Sequence, residues 1–256
     1  MIEIKDLQTG FSAKTVSRSL SLKIESGSFV CLIGPNGCGK TTLLRTIAGL
    51  LPAKKGDIFI NGKSLRQYSS KELARNIAYL PQVREIPDIT VDTLVSHGRF
   101  PYLGFSRKLG RTDHEKIKDA LELSNAGRFA EKRLKELSGG ERQQAYLAMT
   151  IAQDTPILLL DEPGTYLDIS NRFSVMETAL KLNRKGITVL MTLHDLSEAM
   201  WFSPMVCLMD TCGSLRFSGT PQALYDSGLL QEIFDVSVAK TDFKKSYYVF
   251  LPKGDV

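Results

Sequence analysis

A chain of 256 residues, 43% hydrophobic and 24% charged, has the composition of an ordinary soluble globular protein with a sizeable core, in one large domain or two small ones. It holds no apolar run of the ~18 residues a membrane helix needs, and Met1-Ile2-Glu3-Ile4-Lys5-Asp6 alternates like a strand rather than forming a signal-peptide core, so a cytosolic protein that does not itself span a membrane is expected. The net charge of +5 is spread over scattered Lys and Arg, which argues against a nucleic-acid partner, and cysteines at 31, 38, 207 and 212 with three histidines lack metal-ligand spacing, which fits reduced thiols.

In chain order, residues 1–7 and Leu20–Ile24 alternate in the manner of half-exposed strands, and Phe29–Ile33 is a short continuous apolar run. Directly after it, Gly34-Pro35-Asn36-Gly37-Cys38-Gly39-Lys40-Thr41 meets the G-x-x-x-x-G-K-[ST] phosphate-loop pattern in the strand-then-helix context that the pattern requires. Glycines let the backbone turn several N–H groups toward one anion, Lys40 and the helix N-terminus add positive potential, and the Thr41 hydroxyl suits Mg²⁺. A nucleoside triphosphate with Mg²⁺ is therefore the expected ligand, although the loop alone does not separate kinase, GTPase, helicase and transporter motor. Residues 57–60 followed by Asn61-Gly62 read as a strand entering a tight hairpin, so the N-terminal part is expected to be antiparallel.

From about 89 to 153 strand signals vanish, and residues 91–98, 113–123 and 139–152 carry helical apolar spacing, which reads as a helical insertion. Within it, Phe100-Pro101-Tyr102-Leu103-Gly104-Phe105 is aromatic and broken by Pro and Gly; a docking loop and a plug of the helical layer both fit. Leu137-Ser138-Gly139-Gly140-Glu141 opens the last of these helices with an S-x-x-E capping box. Two glycines in its first turn cost about 1 kcal/mol each against Ala, which makes sense where something must approach bare backbone. The helix N-terminus with its serine is a second anion site, expected to reach a triphosphate held by another copy of the chain in a nucleotide-sandwich dimer.

Residues 157–160 and 188–191 are short apolar runs on either side of a helical stretch at 169–183, the pattern of buried parallel strands with a crossover helix. At the exit of the first run, Asp161 suits the Mg²⁺ shell and Glu162 suits a base that orients and deprotonates water. The expected fold is α/β: a mixed sheet, an antiparallel N-terminal β part and a helical insertion. Beyond about Pro221 a short helix and strand-like ends carry no legible chemistry.

Taken together, G-P-N-G-C-G-K-T, Gln82, L-S-G-G-E, L-L-L-D-E-P and His194, in this order, resemble the ATP-binding subunit of an ABC transporter over nearly the whole chain. The resemblance implies a P-loop NTPase (RecA-like) core, with an ATPase domain at 1–236 (core about 1–88 and 154–220, helical subdomain about 89–153) and a tail at 237–256. It implies that Asn36, Gly37, Cys38, Gly39, Lys40, Thr41 and Thr42 hold ATP phosphates and that Thr41, Gln82 and Asp161 hold Mg²⁺. Glu162, Gln82 and His194 would then serve hydrolysis, with His194 sensing the γ-phosphate. Ser138, Gly139 and Gly140 would contact the γ-phosphate across the dimer, and Asp168 would link the two active sites. Phe11 offers a ring for adenine, with core packing as the alternative.

Three positions depart from the family pattern. Gly164 stands where Thr or Ser is common, which is expected to loosen the loop leading to Asp168; Thr41-Thr42 replaces Ser-Thr; and Cys38 inside the loop suggests thiol-sensitive hydrolysis. Asn36-Gly37-Cys38-Gly39, Gly98-Arg99-Phe100-Pro101-Tyr102 and Ala152-Gln153-Asp154-Thr155-Pro156 are similar to the branch importing ferric siderophores, haem and cobalamin, with ferric siderophore the expected cargo. The implied partners are a second copy, transmembrane permease subunits docked through Phe100, Tyr102 and Phe105, and indirectly a substrate-binding protein, on the cytoplasmic side of the cell membrane. Two rivals are a soluble ABC ATPase acting on ribosome or DNA and a regulatory module without turnover. The first usually carries two motor halves or long coiled-coil insertions, neither present here; the intact set of Lys40, Asp161, Glu162 and His194 argues against the second.

Overall fold

In the computed structural model, which describes residues 1–11, 14–15, 19–82, 85–104, 108–165, 167–243 and 245–253, the chain divides into two units. One comprises Met1–Gln67 with Leu190–Val256, the other Tyr68–Val189.

The first unit contains a four-stranded sheet in the order Leu20–Ile24, Ile2–Gln8, Lys55–Ile60, Lys63–Ser64. Ile2 and Ile4 stand opposite Ile24 and Leu22 on one side and Ile60 and Ile58 on the other, all antiparallel. Directly paired residues point to the same face, so these six aliphatic side chains form one buried layer. Asn61 and Gly62 have φ of 51° and 82° between the paired Ile60 and Lys63, the two left-handed residues that a two-residue hairpin of Asn-Gly type uses.

A second sheet of this unit runs Leu215–Gly219, Met205–Met209, Phe29–Ile33, then Thr188–Thr192, which enters the unit at Leu190. Met205–Met209 lies parallel to Phe29–Ile33 and antiparallel to Leu215–Gly219, so the sheet is mixed as expected. Every residue of Phe29–Ile33 is buried; a strand covered on both faces has no polar alternation to show. The C-terminal stretch is more structured than its sequence suggests, with helices Pro221–Asp226 and Leu229–Phe234 and the hairpin Val236–Phe243/Lys245–Pro252. That hairpin rests on the helix Leu196–Phe202 through Trp201 and Tyr247, rings edge-on at 5.6 Å, and the Tyr248 hydroxyl donates to Gln222 Oε1 at 3.2 Å.

In the second unit Ile77–Leu80 runs parallel to Ile157–Asp161, with Ile77 opposite Ile157 and Leu80 opposite Leu160. Helices Val91–His97, Arg111–Leu123 and Gly139–Ala152 pack on one another, as the helical spacing of that region predicts. Arg99 fastens them: it is 4% exposed, its Nε donates to Asp113 Oδ1 at 2.9 Å and its Nη1 to Ala152 O at 2.8 Å. No helix among the described residues is long and apolar enough to cross a membrane.

Candidate functional site

The first unit carries the phosphate loop and His194. After Phe29–Ile33 the loop turns through Gly37 and Gly39, at φ of 78° and 104°, values that a side chain opposes. Gly34 is needed for another reason, since a Cβ there would stand 2.7 Å from Met209 O and 2.9 Å from Cys38 Sγ. The helix Lys40–Ile47 starts with Gly39 at its N-cap and no side-chain capping bond, so its positive end is made of backbone N–H groups. Lys40 is 6% exposed, with Nζ donating to Gly34 O at 2.7 Å and Pro35 O at 3.1 Å. A buried cation held by two neutral carbonyls inside an anion-binding loop fits phosphate, which offers charged acceptors instead. Asn36 and Gly37 are exposed, Thr41 half-buried, and Cys38 and Thr42 buried; burial pushes the Cys38 thiol up, against the opposing pull of Lys40. His194 is exposed, beyond Thr188–Thr192 and just before Asp195, which caps the helix Leu196–Phe202.

The second unit gathers the carboxylates, the Gln82 amide and the Ser138 helix. Asp161, 0% exposed, closes its strand and accepts the Tyr79 hydroxyl on Oδ2 at 3.0 Å. Glu162 follows with φ of 50°, a left-handed conformation uncommon outside glycine, and strained backbone of this kind gathers at functional sites. Its Oε2 accepts from Gln82 Nε2 and, at 3.4 Å, from Thr165 Oγ1. Gln82 and Glu162, 80 positions apart, are thus brought into contact. No group of three or more His, Cys, Asp and Glu among the described residues is placed to hold a metal ion. A single buried Asp fits Mg²⁺, which takes one or two carboxylates and completes its shell with water and phosphate oxygens.

Ser138 and Glu141 form the expected capping box: Glu141 N donates to Ser138 Oγ at 3.3 Å and Ser138 N to Glu141 Oε2 at 2.9 Å. Hydrogen bonding to its carboxyl by the Ser138 backbone N–H, and by the Ser138 side chain, holds Glu141 below the usual range. Gly139 is open, with nothing within 4 Å of where a Cβ would stand, whereas Gly140 faces Asn171. Asp168 caps the helix Ile169–Arg184, accepting from Asn171 N at 2.8 Å. At Gly164, Thr165 N donates to Glu162 O and Leu167 N to Gly164 O, both at 3.2 Å.

Phe100 is 57% exposed, its ring 4.5 Å from that of His97. Tyr102 is held instead: its ring lies against Arg99 at 4.0 Å and Arg75 at 5.3 Å, and its hydroxyl donates to Asp154 O at 3.1 Å. Phe105 lies outside the described residues, as does the side chain of Phe11, whose backbone pairs with Lys14. Sequence reasoning missed Tyr79, Asn171, Gln143, which donates to Pro163 O, and Tyr146, which donates to Glu85 O. No local signal marks them, because a polar group inside a helical or strand period looks solvent-facing until folding supplies its partner.

The family described as "ABC transporter" matches residues 17–165. The petrobactin import ATP-binding protein FpuC of Bacillus anthracis is 38% identical over 240 residues, 93% of this chain and 88% of that one. The ferric enterobactin transport ATP-binding protein FepC of Escherichia coli (strain K12) is 38% identical over 233 residues, 90% of this chain and 85% of the other. Among solved structures, the dimeric post-hydrolysis state of the ATP-binding cassette MJ0796 bound to ADP and Pi matches with a TM-score of 0.74 and 25% identity, over 86% of this chain and 99% of that chain. A phosphate loop, a carboxylate pair at a strand exit and a capped Ser-Gly-Gly helix thus occur in a chain whose sequence and fold agree with one set of relatives: it belongs to the ABC transporter family.

Proposed function

We propose that this chain is the ATP-hydrolysing subunit of an ABC importer for ferric siderophores and that it works as a pair, each phosphate loop completed by the other copy's helix Gly139–Ala152. The observation that carries the reading is the buried Glu162, held by the Gln82 amide next to the buried Asp161. A carboxylate fixed by a neutral donor keeps its acceptor capacity for water, which is what a general base in phosphoryl transfer needs.

In this reading Asn36 to Thr42 bind the phosphates, with Lys40 exchanging its carbonyl partners for phosphate oxygens. Thr41, Asp161 and Gln82 would hold Mg²⁺, which when bound neutralises charge on the β- and γ-phosphate oxygens. Glu162 orients the attacking water and takes its proton, and His194 reports the γ-phosphate. Ser138, Gly139 and Gly140 reach the nucleotide from the second copy, and Asp168 connects the two sites. Phe11 stacks on adenine. Residues 1–236 act as the ATPase domain, with 89–153 as the helical subdomain, and 237–256 as a tail. Closure of the pair on ATP moves that helical part and a permease docked on it, which keeps the subunit at the cytoplasmic face of the membrane. The cargo follows the names of FpuC and FepC, with haem or cobalamin as alternatives.

Phosphate release by the Glu162→Gln variant tests the base role. Turnover is expected to fall by at least about 100-fold while ATP binding and pairing persist; wild-type-like turnover removes Glu162 from that role. Uptake of labelled ferric siderophore, haem and cobalamin by vesicles holding this subunit with its native permease and binding protein decides the cargo.

A further inference from the structure

We infer that Asn171 is a positioning residue that locks the start of the helix Gly139–Ala152 to Asp168 within one copy, so that Ser138 to Gly140 and Asp168 meet the second copy as a single rigid edge. The inference rests on the proposed role of that helix in the paired site and adds the part that sets its geometry.

Gly140 is the second residue of its helix, with no positive φ to require glycine, and at helical positions Ala is favoured over Gly. Its missing side chain needs a cause, and the structure supplies one. A Cβ at 140 would lie 2.4 Å from Asn171 Nδ2, 2.6 Å from Cγ and 3.0 Å from Oδ1, so the whole amide lies against the Gly140 Cα. Gly139, in contrast, has open space at the same point. The two adjacent glycines therefore differ at the Cα: Gly139 leaves it open, whereas Gly140, besides its proposed reach to nucleotide, admits a side chain of the same copy.

That same amide reaches Asp168. Asn171 Nδ2 donates to Asp168 Oδ2 at 2.9 Å, while Asn171 N donates to Asp168 Oδ1 at 2.8 Å. An N-cap needs only the second bond. The first fixes the carboxylate and ties it to the group packed on Gly140, so neither can shift without the other. A carboxylate at 171 would lose the donor and set like charges together, and alanine would lose both contact and bond.

The test uses full-length protein carrying Glu162→Gln, with pairing followed by size-exclusion chromatography against MgATP concentration. Gly140→Ala is expected to raise the ATP needed for half-pairing by about tenfold, the scale of coupling between touching residues, and Asn171→Ala and Asn171→Asp by about threefold each. The double variant G140A/N171A should return to within about threefold of N171A alone, because the new methyl occupies the space the amide left. Should G140A fail to fold, its rescue is read from the melting temperature of the double variant. The lock is overturned if the double variant is no better than G140A, if G140A is silent, or if both Asn171 variants behave as the background. Ser138→Ala probes the parent reading separately: unchanged pairing there would mean that the helix does not meet nucleotide, and the rescue of G140A by N171A would then be read from melting alone.

Discussion

In the proposed reading Asp161 meets Mg²⁺, and a carboxylate with that task gains from being held in one rotamer beforehand, which the Tyr79 hydroxyl at 3.0 Å provides. Tyr79→Phe removes that bond with little change of shape. The Mg²⁺ concentration for half-maximal phosphate release should rise about tenfold, as expected for a lost hydrogen bond to a charged group, with a matching loss of MgATP affinity against ATP alone. Unchanged Mg²⁺ dependence would leave Tyr79 as packing only. At this scale the motifs were readable as patterns, since Lys40, Asp161, Glu162 and Ser138 lie in a local order of residue types, and the roles proposed for them follow from that order. Tyr79, Gln143 and Asn171 were not, because each acts through a partner far along the chain or through the space at a neighbour's Cα.

Among the elements, helices 91–153 depend on a buried cation. Asp113 is held below the usual carboxylate range by the Gly110 backbone N–H and by Arg99. Asp113→Asn leaves the Arg99 guanidinium with a weaker partner, and urea unfolding should show a loss of about 2 kcal/mol, below the range for fully buried pairs because Asp113 keeps contact with water. The strand Phe29–Ile33 and its parallel neighbour Met205–Met209 carry a pH signal. Burial raises the Cys31 thiol from 9.0 to about 12 and the Cys207 thiol from 9.0 to about 11. The unfolded thiols lose protons first, so stability from this source is full below pH 9 and falls as pH rises from there toward the folded values, by up to ~1.4 kcal/mol per pH unit per thiol. Urea unfolding at several alkaline pH values should therefore give a flatter decline for the double variant C31A/C207A; parallel declines would refute the assignment. Helix positions were readable from apolar spacing and the C-terminal strands as strand-like ends, whereas the seating of their hairpin was not, because it runs through Trp201, Tyr247, Gln222 and Tyr248, which are separated in the chain.

For the whole molecule, the proposed function requires passing the ATP cycle to a membrane partner, and in that reading Phe100, 57% exposed, is the docking ring, while Arg99 and Arg75 occupy the Tyr102 ring. Phe100→Ser should cut permease-coupled transport by about tenfold or more and leave basal phosphate release within about twofold, the pattern of a lost interface anchor rather than of lost fold. Joint loss of both activities in folded protein would count against docking through this ring. By itself the sequence determined the nucleotide chemistry, the mixed α/β class and the family, because phosphate loops, strand exits and capped helices are written in short contiguous patterns whose physics is local. Only the tertiary structure decided which aromatic presents itself and which is held, why Gly140 is glycine, and that Gln82 meets Glu162. Those facts depend on exposure and on distances between residues far apart in the chain, and no local pattern specifies either.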